Sequence, residues 1–173
     1  SGYAVILRSF NEKGQAVDDD YYDEEMNPVM CTGGYYGFHR IYNDQGQNSE
    51  NVYLGMNGLP VCNSSGYARE KYLFDKEKRV ARKFYFDVNG EATTGPVGQF
   101  GEAYTYDGNS RITKVVFLGK DGSPQAVSAG YTISEWNYYR DGTLKTNMYF
   151  DESGNPVSLS KGQYGVKYVN GVT

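Results

Sequence analysis

The sequence contains few of the residues on which catalytic and metal sites most often depend. Its 173 residues include one histidine, two cysteines and one tryptophan. These residues are too few for most nucleophile–histidine pairs and for a zinc site built from histidine and cysteine. His39 stands at a repeat position that Lys71 and Glu135 fill in other repeats, which is typical of a solvent-facing position. We therefore predict no catalytic residue, no cofactor and no enzymatic activity.

The chain also lacks a basic excess and a long apolar run. Lys and Arg number 17 against 21 Asp and Glu, for a net charge of −4. The chain therefore has no excess of positive charge to neutralise the phosphates of a nucleic acid. No apolar run approaches the roughly 18 residues that a membrane-spanning helix needs. We expect neither a nucleic-acid partner nor membrane insertion.

The two cysteines leave two interpretations open. Cys31 and Cys62 are separated by nearly one period of the repeat described below, so they could meet in a disulfide between neighbouring repeats. The alternative is a pair of unpaired, half-buried thiols. Two cysteines do not fix the redox compartment.

Tyrosine and glycine are abundant instead. The chain has 18 Tyr, 8 Phe and 22 Gly but only 5 Pro. Tyrosine suits a half-buried strand because it joins an apolar ring to a polar tip, and glycine permits tight turns. The composition predicts an all-β fold with many turns and an aromatic core.

An internal repeat of 32 residues organises the whole chain. Glycine recurs at positions 2, 34, 66, 98, 130 and 162. We number the units 1 to 6 from these glycines, and the sixth is partial. Within each unit, two short strand patterns flank a turn, and a second turn and a return segment follow. The sequence predicts that residues 1–173 form a single array of tandem β-hairpins, stacked like a solenoid.

A 64-residue alternation is superimposed on this unit. The hexapeptide YFDVNG at 85–90 returns as YFDESG at 149–154. In this second turn, odd units carry Asp23, Asp87 and Asp151, and even units carry Gly55 and Gly119. We predict that the aspartates hold backbone amides, that the two classes of turn differ in shape, and that alternate units have different surroundings.

The aspartate-rich segments also have two interpretations. The acidic cluster comprises Asp18, Asp19, Asp20, Asp23, Glu24 and Glu25. It could collect a cation loosely, or it could be a solvated acidic face. The DVNG and DESG turns lack the alternating ligands and the distant Glu of a calcium loop. We predict no metal ligands and favour the solvated face.

An aromatic column supplies the candidate ligand-binding residues. Six positions after the initial glycine, units 3 to 6 carry Tyr72, Tyr104, Trp136 and Tyr168. Planar rings at regular spacing can stack on sugar rings, and many weak sites on one rod gain avidity. The alternative is that this column is the core stripe that holds the units together.

Two families of bacterial surface repeats share the turn motif. The segments YLFDKEKRVARKFYFDVNG (72–90) and YTYDGNSRIT (104–113) resemble YD, or Rhs-type, repeats, which build β-sheet shells or shafts in large surface and toxin proteins. The segment FYFDVNGEATTG (84–95) is similar to the cell-wall and glucan-binding repeats of Gram-positive surface proteins. Those repeats are stacked β-hairpins that bind choline or polysaccharide through aromatic residues. The 32-residue period is longer than either family's unit, and a single tryptophan cannot build a tryptophan-rich choline cage.

The predicted function is a non-catalytic cell-surface module that binds cell-wall or other polysaccharide through aromatic side chains. The alternative is a structural stalk or scaffold, or a protein-interaction module, of a larger surface or toxin protein. Both interpretations place the chain in a secreted or cell-surface bacterial protein. The expected partner is a glycan in the first and a protein in the second.

Overall fold

The computed structural model describes residues 2–169. They form eleven strands: β1 (Val5–Phe10), β2 (Ala16–Tyr22), β3 (Gly37–Tyr42), β4 (Asn48–Leu54), β5 (Arg69–Phe74), β6 (Val80–Phe86), β7 (Gly101–Tyr106), β8 (Ile112–Leu118), β9 (Ile133–Tyr138), β10 (Leu144–Phe150) and β11 (Gly165–Lys167). The strands follow chain order in one open antiparallel sheet of consecutive hairpins, which confirms the predicted all-β hairpin repeat. Within residues 2–169, no helix is long and apolar enough to cross a membrane.

Three tight turns of one backbone form build each unit. In unit 3 they begin at Asp75, Asp87 and Gly95, and in each the N–H of the first residue donates to the carbonyl four residues later, at 2.6–2.9 Å. The fourth residue of each turn lies in the left-handed region, with φ between 65° and 89°. The first turn joins the two strands of the hairpin. The second and third turns belong to the connection to the next unit.

The second turns of odd and even units share one backbone shape, so the predicted difference between them is wrong. In all five units the first N–H bonds to the carbonyl four residues later, at 2.8–3.0 Å, and the fourth residue, Met26 or a glycine, has φ of 64–83°. Only the stabilising side chain differs. Asp87 Oδ1 accepts the N–H groups two and four residues further on, whereas unit 4, with Gly119, uses Asp121 Oδ1 to accept from Ser123. The prediction that the odd-unit aspartates hold backbone amides is confirmed.

The 64-residue alternation has its physical basis at the junctions, where the second strand of one unit pairs with the first strand of the next. All five junctions have the same register, so alternate units occupy equivalent positions in the sheet, and the predicted difference in their surroundings is confined to the side chains that face each other. After an odd unit, a larger side chain faces a glycine: Asp20 faces Gly37, Phe84 faces Gly101 and Met148 faces Gly165. After an even unit, a valine faces a larger side chain: Val52 faces Arg69 and Val116 faces Ile133.

The glycines at the odd-to-even junctions are required by space. A Cβ at Gly101 would lie 2.6 Å from Cδ1 of Phe84 and 2.7 Å from the carbonyl oxygen of Lys83. A Cβ at Gly37 would lie 2.7 Å from Oδ1 of Asp20. Interiors packed at crystal density have no room for such overlap. The larger of the two facing side chains therefore lies on the second strand of the preceding unit at odd-to-even junctions and on the first strand of the following unit at even-to-odd junctions. We call this alternation the exchange of bulk.

Aromatic rings stack along one face of the sheet, which we call the ladder face because it also carries the Tyr72 column. The stack interleaves the tyrosine directly after each initial glycine with the aromatic residue nineteen positions after that glycine. From Tyr3 to Tyr85, neighbouring ring centroids are 4.4–5.8 Å apart, within the range of favourable aromatic pairs. The stack is interrupted at Gln99 and resumes from Phe117 to Tyr149.

The connections between units cover one end of the ladder face. Cys31 and Val127 of two such connections are buried, and a Cβ added at Gly95 would lie 2.5 Å from the ring of Tyr85. Tyr85 is 1% exposed. The core of this single sheet is therefore a covered strip of aromatic rings.

Candidate functional site on the ladder face

The predicted ligand-binding residues Tyr72 and Tyr104 lie half-buried on the ladder face, and their hydroxyls are bonded inside the protein. Tyr72 Oη donates to Glu70 Oε2 at 2.8 Å and accepts from Asn51 Nδ2 at 2.8 Å. Tyr104 Oη donates to Glu102 in the same manner. Burial, reinforced by the adjacent carboxylate, raises the pKa of both phenols. The binding role of these residues remains a prediction.

Trp136 and Tyr168 continue the column at different depths. Trp136 packs against the buried cluster that includes Phe117 and Val127. Tyr168 follows the short strand β11 and is 44% exposed. The structure thus brings Tyr72, Tyr104 and Trp136 onto one face at successive units, with Trp136 contributing to the core.

In units 1 and 2 the same column carries arginines, and these hold a buried carboxylate. Nε and Nη2 of Arg8 lie 2.5 and 2.9 Å from the carboxylate oxygens of Asp19, and Nη2 of Arg40 lies 2.5 Å away. Asp19 is 3% exposed. Burial alone would raise the pKa of Asp19, but hydrogen bonds from the two guanidinium groups lower it. Asp19 is therefore a paired, internal charge.

Asp18 and Asp23 of the acidic cluster also have partners. Asp18 accepts from Ser9 Oγ at 2.8 Å and pairs with Nδ1 of His39 at 2.5 Å across the first junction. Asp23 accepts a backbone N–H of its own turn. Among residues 2–169, no group of three or more His, Cys, Asp or Glu side chains could hold a metal ion. The interpretation of the whole cluster as a solvated face is wrong for Asp19.

Glu70 forms a polar centre in unit 3. Glu70 is 9% exposed. Its carboxylate accepts hydrogen bonds from three phenols, those of Tyr53 at 3.1 Å, Tyr67 at 3.1 Å and Tyr72 at 2.8 Å. Hydrogen bonds to a carboxylate offset the cost of removing it from water. The three rings are thereby fixed around one acidic group.

Glu102 forms the equivalent centre in unit 4. It accepts from Tyr85 Oη at 2.6 Å, from Gln99 Nε2 at 2.7 Å and from Tyr104 Oη, and Nζ of Lys83 lies 3.5 Å away. Burial alone would raise the pKa of Glu102, but these donors outweigh it and lower the pKa. Gln99 thus replaces a ring of the aromatic stack with an amide that bonds to the carboxylate.

Sequence reasoning missed these two carboxylates. The position four residues after the initial glycine holds Ile6 and Phe38 in units 1 and 2 but Glu70 and Glu102 in units 3 and 4. An acidic residue in a column that holds Ile6, Phe38, Ser134 and Val166 in the other units, next to tyrosine columns, is the signal that would have revealed them. It occurs in units 3 and 4, where the candidate ligand-binding residues are Tyr72 and Tyr104.

A groove of about 1000 Å³ lies between the first turns of units 2 and 3. Tyr72 and Phe74 contribute aromatic rings to its lining, and Asn43, Gln45 and Gln47 contribute amides. Aromatic surface next to amide donors and acceptors can pack against and hydrogen-bond to a polyhydroxylated ligand. Tyr72 is the member of the predicted column that lines this groove.

The Tyr-Asp pair of the YD-like motif in unit 4 ties its hairpin to the preceding unit. Tyr106 Oη donates to the carbonyl oxygen of Val80 in unit 3 at 2.7 Å, and the guanidinium of Arg79 lies 4.6 Å from the centre of the Tyr106 ring. Asp107 Oδ1 accepts two N–H groups of its own turn. The motif therefore has a structural role in this chain.

The cysteines are unpaired. Cys31 is buried and Cys62 is exposed, and both are free. The structure therefore agrees with the interpretation of two unpaired thiols and not with a disulfide between neighbouring repeats.

The fold and the ladder face define a tandem β-hairpin repeat module. No protein-family model matches the chain, and no curated protein matches it. Among solved structures, it is similar to a chain in the crystal structure of TcdB2-TccC3-TEV, with 12% sequence identity and a TM-score of 0.49. The similarity covers 94% of this chain and 7% of that chain. The two family resemblances of the sequence remain predictions.

Proposed function

We propose that this chain is a non-catalytic structural segment of a larger bacterial surface or secreted protein. The observation that carries the proposal is the use of the aromatic side chains inside the fold. The phenols of Tyr72 and Tyr104 bond to the carboxylates of their own strands. Tyr53 and Tyr85 bond to the same carboxylates from the preceding units, and Trp136 packs against a buried cluster. A sheet that joins its units by such internal contacts suits a stalk or scaffold, because its stability is a sum over neighbouring units.

Side-chain geometry around the single histidine supports the non-catalytic part of the proposal. Ser9 donates to Asp18 and not to His39, and His39 Nδ1 contacts the other oxygen of the same carboxylate. A serine nucleophile would need its hydroxyl on the imidazole. The group therefore acts as a contact across the first junction.

A second candidate function, binding of a cell-wall or other polysaccharide, is favoured by the groove between units 2 and 3. The groove places Tyr72 and Phe74 beside Gln45 and Gln47. In this proposal Tyr72 is the primary ligand-binding residue, and Tyr104, Trp136 and Tyr168 extend the surface along the array.

Retention on insoluble peptidoglycan and on insoluble glucan separates the two candidates. The scaffold proposal expects no retention and no saturable change in Trp136 fluorescence with soluble oligosaccharides. Retention that Tyr72→Ala and Gln47→Ala abolish, but that Leu59→Ala leaves intact, would overturn it in favour of glycan binding. Leu59 is the control because it is 61% exposed and does not line the groove.

A further inference from the structure

The first strand of the sheet has a free edge that carries apolar side chains. β1 lies at the end of the sheet, and Ile6, Leu7 and Phe10 are 40%, 48% and 61% exposed. Edge strands of soluble proteins are usually short, charged or interrupted, which prevents pairing with other chains. β11, at the other end, follows that rule, because it has three residues and ends in Lys167. β1 is protected less: it has six residues, its one charged residue is Arg8, and its pairing with β2 is regular from Val5 to Arg8 and irregular only between Arg8 and Phe10.

The other first strands show which bonds a strand beyond β1 would make. At the first junction, the N–H of Tyr21 donates to the carbonyl of Tyr36, and at the fifth the N–H of Tyr168 donates to the carbonyl of Lys145. The corresponding groups of β1 are the carbonyl of Ala4 and the N–H of Arg8. Both belong to the edge that has no neighbouring strand among residues 2–169.

The exchange of bulk at the junctions determines which strand fits this edge. β1 carries Val5 where β3, β7 and β11 carry glycine, so it belongs to the class that follows an even unit. In the two such junctions, the facing residue of the preceding strand is Val52 or Val116. A strand of the odd class would place the counterpart of Asp20, Phe84 or Met148 against Val5. A Cβ opposite each of these residues would lie 2.5–2.7 Å from its side chain, so Val5 would overlap it.

We propose that the free edge of β1 is a docking surface for the second strand of an even-class hairpin, which places valine against Val5. The β8 sequence illustrates the fit, because in the shared register Val116 would face Val5 and Val115 would face Ile6. A second copy of residues 2–169 does not supply this strand, since its β4 and β8 already have neighbours on both sides. The occupant is therefore a hairpin strand from outside these residues.

The aromatic stack on the ladder face is continuous with this surface. Tyr3 stacks on Tyr21 at 4.4 Å with an interplanar angle of 10°. Across the fourth junction, the ring of Phe117 lies 5.5 Å from that of Tyr131, which is the counterpart of Tyr3. A docked even-class strand would add such a ring beyond Tyr3 and extend the stack.

Fusion of an extra unit tests the proposal in the full chain. Residues 98–129, an even unit, are joined directly to Gly2, and the matched control joins residues 66–97, an odd unit. The even fusion is expected to slow amide hydrogen exchange at Arg8 by at least about tenfold and to raise Tm. The odd fusion is expected to leave Arg8 exchange unchanged, because Phe84 of the added unit meets Val5.

A third variant separates the size rule from other differences between the two units. The odd fusion with Val5→Gly removes the overlap and is expected to regain protection at Arg8. Equal protection in the two fusions, or failure of the even fusion to protect Arg8, would overturn the proposal. These outcomes do not depend on whether the chain binds a glycan.

Discussion

The junction between units 3 and 4 offers the sharpest test of why odd and even units differ. In Gly101→Ala, the new Cβ would lie 2.6 Å from Phe84 Cδ1 and 2.7 Å from the Lys83 carbonyl oxygen, whereas nonbonded carbons prefer about 3.5–4.0 Å. The ring can turn aside, but the carbonyl belongs to the paired strand, so β6 and β7 must separate. Overpacking of this kind costs about 1–3 kcal/mol. For a chain of this size, we expect Tm to fall by about 2–12 °C.

Gly108→Ala in the same unit is the matched control for thermal unfolding followed by circular dichroism. A Cβ at Gly108 meets nothing within 4 Å, and its φ lies outside the left-handed region, so the change is expected to be neutral or stabilising by about 0.4–1 kcal/mol. Adding Phe84→Val to Gly101→Ala creates the valine of an even junction and should restore part of the loss. Equal Tm values for the Gly101 and Gly108 variants would refute the size-exchange argument.

Other contacts make further predictions. Phe74→Tyr supplies the hydroxyl that other units use to bond to the preceding unit, here to the Asn48 carbonyl, and should stabilise the chain by about 0.5–1.5 kcal/mol in urea denaturation; no gain would show that the site cannot form this bond. The lowered pKa of Glu102 adds stability that is present above its ordinary pKa of 4.5 and is lost as the pH falls through the lower folded value. Glu102→Gln should flatten the fall of Tm in acid, and an unchanged slope would contradict this assignment. Deletion of residues 98–129 places two odd units together and should unfold at lower temperature than deletion of residues 66–129, although the latter removes more of the array.

Most of the architecture could be predicted from the sequence because the repeat records local requirements. Glycine every 32 residues marks a turn with positive φ, and Asp87 marks a turn whose amides need an acceptor. The sequence of the second turn shows the alternation, but the prediction that the turns differ in shape is wrong. The structural difference between odd and even units lies at the junctions. A change from Asp87 to Gly119 looks like a change of shape, yet a side chain two residues further on supplies the acceptor.

The candidate site was predicted less well, because the spacing of residues does not show what lies beside them. The Tyr72 column was correctly placed on one face, but the hydrogen bonds that Asn51 and Tyr53 make to Tyr72 and Glu70 depend on the pairing of separate strands. The same is true of Asp19, which looked solvated in an acidic run and is buried between Arg8 and Arg40. Register between strands, set by the junctions, decides these contacts.

The alternation also solves a problem that any array of similar hairpins faces. If all units were alike, a strand could pair with the wrong unit at little cost, because every junction would offer the same hydrogen bonds. Exchanging bulk at each junction makes a shift by one unit bring Phe84 against Ile133, or Val52 against Gly101, so the error creates either an overlap or a gap. A shift by two units keeps the sizes matched, and there the polar contacts discriminate, since Glu50 pairs with Lys71 at one even-to-odd junction and Lys114 with Glu135 at the next. Bulk distinguishes neighbouring junctions, and the sign of the charge distinguishes these two even-to-odd junctions.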